Sequence, residues 1–223
     1  MASARVESLK FLIPIAVLIL LVLLLPGLAS GILSAILLLL FGGTFYFFRD
    51  PERQPPADAS VIVSSADGLV THIETVENAP FNLGKMRRVS VFLSVFDVHV
   101  NRVPYGGTIA ESVHTPGQFL DARANDCATQ NERMDWHLQT DRGPLVVRQI
   151  AGLIARRIVG WASPQDQVLT GQRLGMIRFG SRTDIFLPLN TEILVQIGDK
   201  VQGSLTPLAR WTEAPFASFL TQP

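Results

Sequence analysis

The chain has 223 residues, enough for one or two domains, and its formal net charge is zero. A neutral chain lacks the broad positive field that holds nucleic acid, so we expect no nucleic-acid partner. Cys127 is the only cysteine, which excludes an internal disulfide framework and any multi-cysteine metal site, and we predict no bound metal.

The N-terminal region is apolar, with no charged residue between Lys10 and Arg49. A helix that spans the hydrocarbon core of a bilayer needs about 20 residues. Pro26-Gly27 divides this region, which predicts a helical hairpin with both ends on one side of the membrane. A single long span, or a hairpin that enters only one leaflet, are the alternatives.

Basic residues flank this apolar region on both sides and are Arg5, Lys10, Arg49 and Arg53. Positive flanks at both ends favour the hairpin, with both termini in the cytoplasm. A cleaved signal peptide fits less well, because the apolar region is too long. We therefore predict that residues 1–48 anchor the chain in the cell (inner) membrane and that the following domain lies on its cytoplasmic face.

Residues 49–57 are polar and rich in proline, which is typical of a linker. Beyond them, short Val, Ile and Thr segments alternate with turn residues, as at Val89, Val91 and Leu93. Gly198-Asp199 lies between two apolar segments and predicts a β-hairpin, which resembles lipoyl-type half-barrels. We predict that residues 58–223 form one compact, mostly antiparallel β domain with barrel-sandwich features.

Three side chains of a nucleophile system occur in this region: Asp67, His99 and Ser181, which follows Gly180. Each also has an ordinary structural interpretation, as an Asp-Gly turn, a strand end and a Gly-Ser turn. Ser181 lacks the G-x-S-x-G elbow of the α/β hydrolases. The other histidines have no metal-ligand spacing and are His72, His114 and His137.

Five segments carry a family resemblance through their order and spacing, although no single one is diagnostic. They read FFRDPER, SSADG, LSVFDVHVNRVPYGG, NERMDWHLQTDRGPLVVRQIAGLIARRI and LGMIRFGSRTDIFLP. Together they resemble the short, bacterial and archaeal type of the phosphatidylserine decarboxylase family. The resemblance covers residues 47–208, which is nearly all of the chain beyond the apolar region.

The resemblance implies a proenzyme that cuts itself between Gly180 and Ser181. Residues 1–180 would become a β chain and residues 181–223 an α chain, which form a heterodimer; a higher oligomer is left open. Ser181 would become a covalent pyruvoyl group, and the enzyme would need neither pyridoxal phosphate nor a metal. The pyruvoyl ketone would serve as the electron sink for a decarboxylation.

The resemblance also assigns roles to single residues. His99 would act as the base that activates Ser181, and Asp67 would orient His99. Longer members of the family often carry a second histidine where this chain has Arg102. The division of labour between two histidines therefore cannot be carried over, and whether His99 serves both self-cleavage and decarboxylation is left open.

The implied substrate is phosphatidylserine in the membrane, converted to phosphatidylethanolamine and carbon dioxide in phospholipid biosynthesis. Arg102 and Arg182 are candidate partners of its phosphate, and ordinary ion-paired arginines are the alternative. Two other functions stay open from the residues alone: a non-catalytic, membrane-tethered, lipoyl-like adaptor, and a serine hydrolase using Asp67, His99 and Ser181. Either would remain one chain on a denaturing gel, whereas the lyase would give two.

Overall fold

The computed structural model describes residues 4–124, 126–153, 157–178 and 181–212. The chain divides into two compact units, residues 1–51 and 52–223. Gly180, on one side of the predicted cleavage junction, lies outside the described residues, as does the end of the predicted α chain, residues 213–223.

The first unit contains two helices of 20 residues each, α1 (Ala4–Leu23) and α2 (Leu28–Phe47). They pack against each other and are joined through Gly27, whose φ of +109° lies in the region that favours glycine. Both are long and apolar enough to cross a membrane. Large apolar side chains such as Leu28 and Leu39 are about four-fifths exposed on them. Such surfaces are costly in water, so the helix pair suggests membrane association.

The second unit is built from strands in three described sheets. The largest has eight strands in the order β13-β2-β3-β11-β7-β6-β5-β9, and the two smaller ones are β1-β14-β12 and β4-β10-β8. The strands are β1 (Val61–Val63), β2 (Gly68–Val76), β3 (Met86–Leu93), β4 (Val100–Arg102), β5 (Gly107–Thr115), β6 (Arg133–Thr140), β7 (Gly143–Ala151), β8 (Ile158–Gly160), β9 (Gln167–Val168), β10 (Arg173–Ile177), β11 (Ser181–Leu187), β12 (Thr191–Ile193), β13 (Lys200–Val201) and β14 (Pro207–Trp211).

Helical structure is scarce in the described part of this unit, where one 3₁₀ turn (Pro80–Asn82) and the short helix α3 (Cys127–Gln130) interrupt the strands. All described pairs of named strands are antiparallel. The predicted β domain, preceded by an apolar helix pair, is therefore confirmed.

The main core lies between the eight-stranded sheet and the sheet that contains β1. Ile185 and Leu187 of β11 belong to the same buried cluster as Ile62 of β1 and Leu208 of β14, and all four are fully buried. Burial of each such side chain contributes about 1.5–3 kcal/mol. This packing holds β11 at the centre of the domain.

Strand β11 is flanked within the sheet by β3 and β7, and its residues are buried on both faces, where they pack in two core clusters. Alternate residues of a strand point to opposite faces. Ser181 and Thr183 share the face of Ile185, toward the main core. Arg182 shares the opposite face with Phe186, which packs in a second buried cluster.

The predicted hairpin at Gly198-Asp199 is wrong in its pairing. The turn itself forms, and Gly198 has a φ of +98°. However, β12 before the turn pairs with β14, and β13 after it pairs with β2. The amide of Gly198 donates to the carbonyl of Val70 at 2.9 Å. Turn residues specify a local bend, whereas the partner of each arm is set by packing elsewhere in the domain.

Candidate active site

Ser181 is the first residue of β11 and lies between Leu93 of β3 and Ala151 of β7. The residue is fully buried, and its hydroxyl oxygen has no hydrogen-bond partner among the described residues. A buried polar atom without a partner costs about 1–3 kcal/mol. Such an atom needs an explanation, and a hydroxyl kept free for reaction is one.

The apolar segment around Ser181 is broken because the chain changes sheets there. Strand β10 ends at Ile177 in the small sheet with β4 and β8, and β11 begins at Ser181 in the large sheet. The link between them includes Phe179 and Gly180, which lie outside the described residues. The predicted junction thus falls where the chain passes from one sheet to the next.

His99 immediately precedes β4, and β3 ends well before it, at Leu93. The expectation that His99 ends the alternating strand β3 is therefore wrong, because a turn at residues 94–98 intervenes. The ring is fully buried, and its Nδ1 lies 3.0 Å from the carbonyl oxygen of Asp97. A carbonyl only accepts, so Nδ1 carries the hydrogen and Nε2 is the nitrogen able to accept a proton.

A hydrogen bond between sheets brings the segments of His99 and Ser181 together. The Asn101 amide donates to the Thr183 hydroxyl oxygen at 3.1 Å. Asn101 follows His99 by two residues and Thr183 follows Ser181 by two. Ser181 and Thr183 share a face of β11, whereas His99 lies just before β4. The amide of Ile177 also donates to the carbonyl of His99 at 3.3 Å, just before the chain enters β11. These bonds bring the two segments together, and a direct contact between His99 and Ser181 stays a prediction.

The described partners of the Asp67 carboxylate are Arg53 and Gly203. Both guanidinium NH₂ groups of Arg53 donate to it, one at 2.8 Å, and the amide of Gly203 donates at 2.9 Å. The predicted orientation of His99 by Asp67 is not among these contacts and stays a prediction. Gly68 is required beside it, because a Cβ there would lie 2.0 Å from the carbonyl oxygen of Phe92.

Removal of the Asp67 carboxylate should destabilise the domain strongly. Asp67→Ala leaves the Arg53 guanidinium buried and unpaired, which is expected to lower the free energy of unfolding by about 3–5 kcal/mol. Equilibrium chemical unfolding, measured in a Ser181→Ala background to keep the chain intact, gives this value. Asp58, whose ion pair with Arg210 is about half exposed, provides the matched Asp58→Ala control, which should change little. Equal stability of both variants would contradict the structural role of Asp67.

A cleft of about 380 Å³ opens at the end of the large sheet where β11 begins. Its lining includes Phe92 and Ser94, which precede and follow the Leu93 that pairs with Ser181. Asp67, in the bend before β2, and Gly68, the first residue of β2, also line it. A larger cleft of about 670 Å³ lies at the opposite end of β7, near Thr140 and Asp141. Of these two clefts, the smaller one lies at the Ser181 end of the large sheet, and its lining includes neither Ser181 nor His99.

Neither candidate arginine is presented to solvent. Arg182 is fully buried. Its guanidinium donates to the Asp184 carboxylate at 2.6 Å and to the Ser90 hydroxyl oxygen at 2.8 Å. Burial alone would lower the pKa of Arg182, but the Asp184 carboxylate outweighs it and the pKa is raised. Arg102 is also buried and donates to the carbonyl of Gly171 at 3.1 Å. The Arg182 contacts match the ion-paired alternative, and the phosphate contact of either arginine stays a prediction.

Cys127, the other potential nucleophile, lies on the opposite face of the large sheet from Ser181, near the guanidinium of Arg182. Burial raises the pKa of the Cys127 thiol, although the Arg182 charge opposes this effect. The thiolate is the reactive form of cysteine, so this environment keeps Cys127 unreactive.

Sequence comparison shows to which proteins this chain is similar. A sequence model of the phosphatidylserine decarboxylase family matches residues 41–209. A phosphatidylserine decarboxylase proenzyme from Desulfotalea psychrophila is 44% identical over 180 residues, covering 80% of this chain and 84% of that protein. The proenzyme from Pelobacter propionicus is 44% identical over 209 residues, covering 92% and 94%. That from Syntrophus aciditrophicus is 46% identical over 166 residues, covering 74% and 78%.

The β domain with its buried serine, together with these relatives, defines an enzyme of the carboxy-lyase class. The chain belongs to the phosphatidylserine decarboxylase family. The resemblance carried by the five sequence segments is confirmed. Neither the non-catalytic adaptor nor the serine hydrolase fits this family.

Proposed function

We propose that this protein decarboxylates phosphatidylserine to phosphatidylethanolamine after it cuts itself between Gly180 and Ser181. The observation that carries the proposal is the Ser181 hydroxyl, which is fully buried and has no partner among the described residues. The relatives named as proenzymes support maturation by cleavage.

Maturation uses groups of the chain itself and one water molecule. His99 accepts the hydroxyl proton as Ser181 Oγ bonds to the carbonyl carbon of Gly180. The peptide C–N bond then breaks, the nitrogen gains a proton, and an ester joins the two residues. Loss of the Ser181 Cα proton expels the Gly180 carboxylate and leaves a carbon–carbon double bond. Addition of water and loss of ammonia convert this end into a ketone, with no external oxidant.

The residues around Ser181 fit a pyruvoyl group formed at that position. Leu93 and Ala151 flank it and are fully buried, so they keep water from its sides. A pyruvoyl ketone supplies an electron sink for the electrons released when carbon dioxide leaves. His99, with its Nδ1 hydrogen directed to the Asp97 carbonyl, holds on Nε2 the proton that replaces the lost carboxylate.

The two chains produced by cleavage would stay together. Strand β11 would begin the α chain, yet its ladder partners β3 and β7 belong to the β chain. Strand β14 of the α chain likewise pairs with β1 of the β chain. A cut before Ser181 therefore leaves these ladders and the shared core intact, which supports an α/β heterodimer.

The apolar helices α1 and α2 fit a substrate that resides in a membrane. A diacyl lipid leaves the bilayer only at a cost of about 0.8 kcal/mol for each exposed methylene. An enzyme that acts on it must therefore reach the headgroup plane. We assign the helix pair to anchoring the protein in the cell membrane, with the β domain on the cytoplasmic face.

Substrate comparison tests the lipid assignment. The purified, self-cleaved protein should decarboxylate phosphatidylserine in detergent micelles much faster than glycerophosphoserine or free serine, because only the lipid brings the headgroup to a membrane-held site. The measurement is carbon dioxide release at matched headgroup concentrations, compared as kcat/KM. If free serine has a comparable kcat/KM, phosphatidylserine is not the substrate and the helix pair has another purpose.

A further inference from the structure

Four buried polar side chains form a continuous hydrogen-bonded chain through the core, which we call the amide relay. The indole Nε1 of Trp136 donates to Gln149 Oε1 at 2.8 Å, Gln149 Nε2 donates to Asn101 Oδ1 at 2.7 Å, and Asn101 Nδ2 donates to Thr183 Oγ1 at 3.1 Å. None of the four residues is more than 1% exposed. The relay connects β6, β7 and β11 of the large sheet with β4 of the small one.

The direction of the amide relay is fixed from its Trp136 end. An indole nitrogen only donates, so the Gln149 amide must turn its oxygen toward Trp136 and its nitrogen toward Asn101. Asn101 must then accept with its oxygen and donate with its nitrogen. Thr183 is left as an acceptor. Each amide therefore has one favoured orientation, and the Asn101 nitrogen is held toward β11.

Two glycines make room for the amide relay. A Cβ on Gly175 of β10 would lie 3.1 Å from both polar atoms of the Gln149 amide and 2.5 Å from the carbonyl oxygen of Val159. A Cβ on Gly160 of β8 would lie 2.6 Å from the Trp136 ring. Gly175 also pairs with both Asn101 and Gly160 in the small sheet. Backbone and side chains are thus fitted closely around the relay.

A relay of this kind contributes orientation more than stability. Replacement of both partners of a buried hydrogen bond by apolar groups is often nearly neutral for stability, so packing alone does not require four polar side chains here. What the relay adds is a fixed alignment of β4 on β11. His99 and Ser181 each lie two residues before the bonded pair Asn101 and Thr183, so that alignment sets how they meet.

We infer that Asn101 is a positioning residue for self-cleavage, and that the amide relay aligns His99 with the Ser181 hydroxyl by bonding Asn101 to Thr183. The inference rests on the proposed self-cleavage at Ser181. Misplacement of a reacting group by about 1 Å can slow a reaction about 100-fold. Loss of the Asn101–Thr183 bond should therefore slow self-cleavage without removing any reacting group.

The test compares self-cleavage rates of Thr183 variants, followed on denaturing gels after synthesis of the chain in vitro. Thr183→Val keeps the shape of the side chain but removes the acceptor, and self-cleavage should slow about 10- to 100-fold. Thr183→Ser keeps the hydroxyl and should restore the wild-type rate. Asn101→Leu should be as slow as Thr183→Val, and the double variant no slower than either, because both remove the same bond.

Ile185→Val is the matched control, since Ile185 lies on the same face of β11 but outside the amide relay. Thermal unfolding of Thr183→Val and Ile185→Val, each in a Ser181→Ala background, shows whether their stability losses are similar. Ile185→Val should cleave at the wild-type rate. Wild-type cleavage by Thr183→Val, or equal slowing by Ile185→Val, would overturn the inference while leaving the proposed function intact. Failure of the wild-type chain to cleave would instead reject the proposed function itself.

Discussion

Replacement of Ser181 by alanine is expected to leave one full-length chain with no decarboxylase activity. The methyl group of alanine cannot attack the carbonyl carbon of Gly180. Ser181 is the first residue of β11, between β3 and β7, so no other hydroxyl group among the described residues occupies this position. The fold should persist, because the Ser181 hydroxyl makes no hydrogen bond among the described residues and its loss breaks none. A denaturing gel of the purified variant and an assay of carbon dioxide release measure both effects.

Ser112→Ala provides the control for this variant, since Ser112 also lies in a strand, β5, but far from the junction in the sheet order. It should cleave and decarboxylate as the wild-type chain does. A Ser181→Ala chain that is still cut efficiently at the same bond would show that the serine hydroxyl does not carry out the cleavage.

Loss of the His99 ring is expected to have the next largest effect. His99→Ala removes the base that takes the Ser181 proton, and general-base catalysis contributes about 10²–10⁴-fold. Self-cleavage should slow by a factor in that range. The rate is measured from the decay of full-length chain on gels. Added imidazole should recover part of the rate if the cavity left by the ring admits it, because the missing group is then supplied from solution.

His114→Ala is the comparison, because His114 is half exposed and pairs with Glu132 on the surface. Its rate of self-cleavage should match that of the wild-type chain. If His99→Ala also matures and turns over normally, His99 serves neither as the base in self-cleavage nor as the proton donor in decarboxylation.

The sequence predicted the architecture well where its pattern was long and periodic. The apolar region before Arg49 folds as two helices, and alternation at Val89, Val91 and Leu93 falls in β3. The Gly198-Asp199 hairpin was predicted wrongly, because a turn signal is local and the chain on either side joins different sheets. Local chemistry predicts a turn, but not the strand beside which each arm lies.

The sequence indicated single candidate residues of the site, but not their contacts. Ser181 and His99 stood out by residue type and family resemblance, and both are fully buried near the point where β10 leads into β11. The pairing of Asp67 with Arg53 crosses from the linker segment to the bend before β2, and no sequence spacing indicates it. Arg182 was predicted as a candidate phosphate partner with an ion pair as the alternative, and the pairing with Asp184, two residues later on the same face, is that alternative.

The amide relay had a weak signal that sequence reasoning missed. Asn101, Gln149 and Thr183 are polar residues of β4, β7 and β11, and each is next to an arginine. A polar residue in a strand is ordinarily placed on the solvent face, and nothing local shows that three of them meet inside. Their convergence depends on how the two sheets pack, which only the folded chain reveals.

Mass spectrometry of the purified, undigested protein tests the central claim most directly. The account predicts two chains, one ending at Gly180 and one starting at residue 181 whose first residue is a pyruvoyl group. That fragment should lack a free amino group, and its mass should correspond to a ketone in place of the serine. A single full-length chain, or a fragment that begins with an intact Ser181 and a free amine, would contradict the claim that this serine becomes the cofactor.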